Sequence, residues 1–249
     1  MSKLLALAAV AAALALVTTT SCKKKEDKLT CRLTAIIPLN NGVPNDDSML
    51  ITYNSAGKIA GATSIKSGNG TTFTYSGNMI TAKTNDAGTT IVREITLNAS
   101  GNIAQVIEKD GITGNVITTK KHHYRADNTP DYSTIEYDGY TDSAFYEYKN
   151  GNLVKEKFSG EERTYTYYED KESQVGDPVR ISYFYIYGAY AIGNRNLVKA
   201  ISIYNIMSSG QLSYKYEYDN NGNIKKMTTT NSSSSGQYTS EMEYRYSCD

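Results

Sequence analysis

Tyr218-Asp219-Asn220-Asn221-Gly222-Asn223-Ile224 is the fullest copy of a phrase that recurs along this chain: an aromatic or apolar residue, a few turn formers, a glycine followed by Asn or Lys, then an aliphatic. The same spacing occurs at Tyr53 with Gly57, Lys58 and Ile59, and at Leu97 with Gly101, Asn102 and Ile103. Shorter copies join Tyr75 to Gly77, Asn78 and Met79, and Tyr148 to Gly151, Asn152 and Leu153; eroded ones run from Tyr124 to Pro130 and from Tyr190 to Leu197. The phrase is chemistry for closing a turn. Asp or Asn opens it by bonding its own backbone, and glycine supplies the positive φ that returns the chain antiparallel. The glycines at 57, 77 and 101 are 20 and 24 residues apart, a period that suits one β-hairpin per unit, and the 71 residues from Gly151 to Gly222 have room for about three more units.

Between these turns the residues alternate. Tyr214, Tyr216 and Tyr218 interleave with Lys215 and Glu217; Tyr146 and Tyr148 interleave with Glu147 and Lys149; Tyr244 and Tyr246 flank Arg245. Period two sends the tyrosines to one face of a strand and the charges to the other. No comparable helical period is present after the N-terminal segment, and prolines occur only at 38, 44, 130 and 178, so few positions break a ladder. Six or seven hairpins imply roughly 12 to 14 strands. The expected fold is all-β: an antiparallel meander of repeated hairpins over residues 31–249, forming a strongly curved sheet or a partly or fully closed barrel.

The chain begins with Lys3, an apolar run from Leu4 to Val17, and Thr19, Thr20 and Ser21 before Cys22. Fourteen apolar residues fall short of the roughly 20 that span a bilayer, so residues 1–21 read as an export signal. A small residue before the cysteine is similar to the lipobox of signal peptidase II, although Thr19 stands where Leu or Val is usual. Cys22 is thus the expected lipidation site. Lys23, Lys24, Lys25, Glu26 and Asp27 open a charged tether over residues 22–30, similar in its Lys-Glu-Asp portion to surface-export signals of Bacteroidota lipoproteins. Two or three acyl chains on Cys22 would anchor the protein permanently, since each buried CH₂ contributes about 0.8 kcal/mol. Removal of residues 1–21 takes away Lys3 alone among charged side chains and leaves 25 basic against 26 acidic residues. A near-neutral chain has no electrostatic footprint for nucleic acid. With Cys22 lipidated, Cys31 and Cys248 remain at opposite ends of the domain; in an oxidising compartment they are expected to pair, the alternative being two buried thiols.

Taken together, the turn phrase resembles the YD repeat of Rhs-type and teneurin-like shells. With the lipoprotein signal and the length, the chain is similar to Bacteroidota lipoproteins grouped as a domain of unknown function with a porin-like fold. The likeness covers residues from about 31 to 249 and implies a porin-like barrel at the outer membrane, cell-surface exposed or, alternatively, facing the periplasm. It transfers no catalytic residue. A transmembrane barrel would need an apolar band on alternate positions, where charge costs about 2–4 kcal/mol at mid-membrane. Here the face opposite the tyrosines carries Lys, Glu and Arg, and the chain ends Ser247-Cys248-Asp249 without a terminal aromatic. The expectation is therefore a soluble, lipid-tethered barrel.

Of the 22 tyrosines, 20 lie from Tyr124 onward, and there is no tryptophan. They suit either a groove that stacks on sugars or the cross-strand pairs of a half-wet sheet, and the second is favoured. The densest cluster holds Tyr183, Phe184, Tyr185, Ile186, Tyr187 and Tyr190. Tyr183, Tyr185, Tyr187 and Tyr190 are the candidate ligand-binding residues, at a binding surface or an interior seam. His122 and His123 are neighbours on a strand and point to opposite faces, so they are poor partners for one metal ion. No nucleophile elbow, phosphate loop or dinucleotide fingerprint is present, and no cofactor, metal or catalytic residue is expected. The acidic pairs Asp46/Asp47, Glu161/Glu162 and Glu169/Asp170 read as solvated loop charges. The resulting expectation is a non-enzymatic binding or scaffold protein of the envelope, with a polysaccharide or an envelope protein as partner. Two opposed carboxylates in a cleft would point instead to a glycan-cleaving enzyme.

Overall fold

The computed structural model describes residues 31–45, 47–189, 193–205 and 209–248, with the backbone alone at 184 and 185. The export signal, Cys22, the tether, Asp46 and Tyr190 lie outside the described residues.

The turns are built from the side chains that the phrase supplies. Asn54, Asn98 and Asp219 each accept, on one side-chain oxygen, the N–H groups two and four residues ahead at 2.9–3.0 Å. Gly57, Gly101 and Gly222 donate to the carbonyl three residues back and hold φ of +74°, +79° and +81°. In the eroded copy at 124–130, Asn128 takes that place at φ +62° and bonds the Arg125 carbonyl. A register shift at 52/53, 96/97 and 217/218 marks a β-bulge beside each of the three full turns, where the strand regains its pairing.

Joined this way, sixteen antiparallel strands form a closed barrel, and a two-residue strand, Val43–Pro44, extends the first hairpin. The seam closes where Cys31–Asn40 pairs with Gly236–Cys248, from Cys31 opposite Cys248 to Leu39 opposite Glu241. A disulfide joins Cys31 to Cys248 at the end of that seam. The expected 12 to 14 strands fall short because they count strands joined by turns of the phrase; the first and last strands meet by ring closure, with no turn between them. Since the meander runs up and down, the turns of Gly57, Gly77, Gly101, Gly151 and Gly222 all lie on one rim, which the disulfide shares.

Inside, the aliphatic that follows each glycine makes the core. Ile59, Ile103, Leu153 and Ile224 are 0–2% exposed, and burying each contributes about 2 kcal/mol. Tyrosines tie neighbouring units together at this level. The hydroxyls of Tyr53, Tyr75, Tyr124, Tyr167 and Tyr216 donate to the carbonyls of Leu33, Ile59, Ile103, Leu153 and Val198 at 2.5–2.8 Å. Outside, cross-strand ion pairs cover the wall: Lys109 with Glu94, Lys121 with Glu136, Lys155 and Lys157 with Glu162, and Lys226 with Glu217 and Glu241. Glu162 and Glu161 begin a strand on opposite faces, so they are ladder residues and not loop charges.

One element departs from the expected β reading: Pro178–Tyr187 is an α-helix. It occupies part of the long interval between Gly151 and Gly222, which therefore contains fewer hairpins than its length suggested.

Candidate functional site

Asp177 and Pro178 start this helix. Proline at the first helical position has no N–H to satisfy, and the Asp177 carboxylate caps the next donors, accepting from Val179 at 2.9 Å and Arg180 at 3.3 Å. Its other oxygen accepts the Val198 N–H of the wall at 3.1 Å. Asp177 is fully buried, and burial pushes its carboxyl pKa up against the pull of these three donors. Gly188, at φ +66°, ends the helix against Ile59, Phe73 and Tyr75; a Cβ there would meet the Tyr75 hydroxyl at 2.9 Å. The helix thus crosses the barrel interior from the strand Asn196–Tyr204 to the strands Ile59–Ser64 and Gly70–Ser76.

Between helix and wall lies a cavity of about 380 Å³. Tyr183 and Tyr187 of the helix face Tyr165, Tyr214, Leu153 and Ile201 of the wall across it. Three charged side chains also reach in: Lys120, Glu156 and Arg163. A smaller hollow of about 210 Å³ shares these three. Arg163 is held twice, Nε to Glu161 at 2.6 Å and Nη1 to Glu156 at 3.6 Å, and Glu156 also accepts the Tyr165 hydroxyl at 2.9 Å. Arg163, 45% exposed, stands at the mouth, whereas Glu156 is 18% exposed. Burial works against the Arg163 charge, but Glu156 and Glu161 outweigh it and raise its pKa.

Lys120 differs from Arg163. Among the described residues its side chain makes no ion pair or hydrogen bond, and burial lowers its pKa although Glu156 opposes the shift. Tyr183, Tyr187 and Tyr214 line the cavity too, and among the described residues no hydrogen bond is made by their hydroxyls. Burial pushes Tyr214 up to about 12 and Tyr183 well above its ordinary value, so both stay neutral donors.

The residues expected to bind a ligand are thus divided. Tyr183 and Tyr187 line the cavity, as residues of a helix and not of a strand; the Tyr185 side chain and Tyr190 lie outside the described residues. The repeat-turn glycines stay at the rim. His122 faces inward and His123 stacks on Tyr132 with centroids 4.1 Å apart, so the two histidines do take opposite faces. Among the described residues no three His, Cys, Asp or Glu side chains gather as a metal site would need. Glu156 and Glu161 both point inward, but they bind one arginine instead of flanking a free cleft. Sequence reading missed Lys120, Glu156 and Arg163. A signal existed for two of them: Arg163 shares the parity of Tyr165, and Lys120 that of His122 and Tyr124.

Closed, antiparallel and crossed inside by a helix, the molecule is a plugged β-barrel. Among solved structures it is similar to a porin-like protein from Bacteroides uniformis, at 18% identity and TM-score 0.61, over 86% of this chain and 95% of that one. It is also similar to a porin-like protein from Bacteroides vulgatus, at 14% identity and TM-score 0.58, over 86% and 98% of the two chains. At such identities the likeness is one of fold. No family model and no curated protein matches the chain.

Proposed function

We propose that this protein is a non-enzymatic binding protein of the cell envelope, held at the outer membrane by lipid on Cys22, its barrel standing in water and conducting nothing. The observation that carries the reading is the combination of an ion-paired outer wall with an occupied bore. Lys155, Glu162, Lys226, Glu217 and Glu241 sit where a transmembrane barrel would present its apolar band, and a charge there costs about 2–4 kcal/mol at mid-membrane. A sixteen-strand barrel is wide enough for an aqueous channel, but this one carries a helix across it. The porin-like names of the structural relatives support an envelope location without requiring a pore. The lipobox-like Thr20-Ser21-Cys22 supports the anchor, and the tether that follows supports display at the cell surface.

Metabolic labelling with a palmitate analogue and planar-bilayer recording test this together. The expected result is label on the parent protein, none on Cys22→Ser, and no unitary conductance from the purified protein. Stepwise conductance, or labelling that survives Cys22→Ser, would overturn it.

A further inference from the structure

We infer that the rim opposite the disulfide rests on the lipid surface that holds the chain: apolar side chains at its turns enter the interface, while the barrel wall stays in water. This inference rests on the reading of Cys22 as the lipid anchor, and adds to it the end of the barrel that faces the membrane.

The two rims differ in what they expose. Among the described residues, eight large apolar or tyrosine side chains are more than half exposed, and all but Phe145 lie within three residues of a turn at the rim opposite the disulfide. Val43, Ile65, Ile112, Tyr140, Tyr204 and Tyr238 belong to six different turns of that rim. The full turns of the disulfide rim, at 54–58, 98–102 and 219–223, are built from Asn, Asp, Ser, Gly, Ala and Lys. Single exposed apolar residues are ordinary on a protein surface, but their collection on one rim is not.

Two of these side chains stand on turns whose backbone is held by polar bonds. Asp110 accepts the N–H of Ile112 at 2.9 Å and of Thr113 at 2.7 Å, and Gly114, at φ +75°, donates to the Asp110 carbonyl at 2.9 Å. Ile65 donates its N–H to the Ser48 carbonyl at 2.8 Å, and Gly68 donates to the Ser64 carbonyl at 3.0 Å. The isoleucine side chains are nevertheless left to water, Ile112 79% exposed and Ile65 59%. A turn already fixed in shape loses little freedom when its apolar side chain is buried by a partner.

The arrangement favours a membrane as that partner. The side chains come from separate turns around a ring, so a folded protein finds no single contiguous patch, whereas a flat and fluid surface meets all of them at once. Tyrosine beside aliphatic residues is also the composition of a membrane interface, where the ring lies among apolar groups and the hydroxyl stays wet. The chain outside the barrel permits this placement. Nine residues lead from Cys22 to Cys31, and fully extended they cover about 30 Å. The ten-residue strand Cys31–Asn40, at about 3.3 Å per residue and a tilt of about 40°, rises only about 25 Å. The tether is therefore long enough to pass along the wall, and polarity decides which rim turns to the lipid.

The chain has no tryptophan, so one introduced indole reports one site. Ile112→Trp and Tyr238→Trp probe turns half the ring apart. Ala99→Trp places the same ring on an exposed turn of the disulfide rim and corrects for the general affinity of indole for interfaces. The full-length protein, purified from membranes, is reconstituted into vesicles of phosphatidylethanolamine and phosphatidylglycerol with or without brominated acyl chains. A blue shift and bromine quenching at Ile112→Trp and Tyr238→Trp are expected, with unchanged emission at Ala99→Trp. An unquenched indole at either of the first two positions, or quenching at Ala99→Trp, would overturn the inference. A blue shift at Ile112→Trp without quenching would overturn it too, by showing that the rim meets a second copy instead of lipid. All three substitutions fall at exposed positions, and a thermal melt against the parent checks the fold. The mass of the mature chain reports lipid on Cys22 separately. Lipid present with an unquenched rim would end the rim contact and keep the anchor; a quenched rim on an unmodified chain would do the reverse.

Discussion

His122 shares the inward face of its strand with Lys120 and Tyr124, is 6% exposed, and has no hydrogen-bond partner for its buried Nδ1. Burial first, then the neighbouring Lys120 and His123, lowers its pKa from 6.5 to about 3. The folded protein therefore keeps this ring neutral at pH values where the unfolded chain protonates it. The contribution to stability is full above about pH 6.5 and declines as pH falls toward 3, at about 1.4 kcal/mol per pH unit. Urea unfolding at pH 7 and pH 5 should show the parent losing roughly 1–2 kcal/mol more than His122→Leu between the two. Parallel losses would mean that His122 does not titrate on unfolding.

At the scale of elements, the tyrosine abundance has a mechanical cause. A phenol near the end of one strand reaches the carbonyl that follows the preceding turn, so each hairpin is tied to its neighbour as well as laddered to it. Tyr75→Phe and Tyr216→Phe remove one such bond each while keeping the ring packed. Each should cost about 1 kcal/mol in chemical denaturation, and the pair, lying on well-separated strands, should add. No loss in either variant would reduce the ties to incidental contacts. The hairpins were legible because their information is local: Asn54, Asn98 and Asp219 bond backbone within four residues, and glycine answers a φ that other residues resist. The helix was misread because Tyr183-Phe184-Tyr185-Ile186-Tyr187 is rich in residues that favour strands. Its start was nevertheless written in Asp177-Pro178, a capping residue and a first-turn proline, and its end in Gly188. Burial inside the barrel overrode the local preference.

At the scale of the molecule, closure couples residues 217 positions apart through the disulfide. Chain-entropy reasoning gives such a loop at most about 5 kcal/mol of stabilisation. Reduction, or Cys31→Ser with Cys248→Ser, should lower the melting temperature on the order of 10 °C while the barrel still folds, because the seam keeps its backbone ladder and the buried Leu33 and Tyr244. An unchanged melting temperature would show that the ladder alone sets the stability of the seam.

Turn positions, the inward and outward faces of each strand, the charged exterior and the expectation of a disulfide were all readable from the chain, since they depend on contacts of a few residues or on the period of two. Which charges meet in the bore was not. Lys120, Glu156 and Arg163 are brought together by the ladders of neighbouring strands, and the cavity beside them exists because a helix crosses a ring that only closure creates. Those relations depend on the curvature and register of the whole sheet, and no short stretch of sequence holds them.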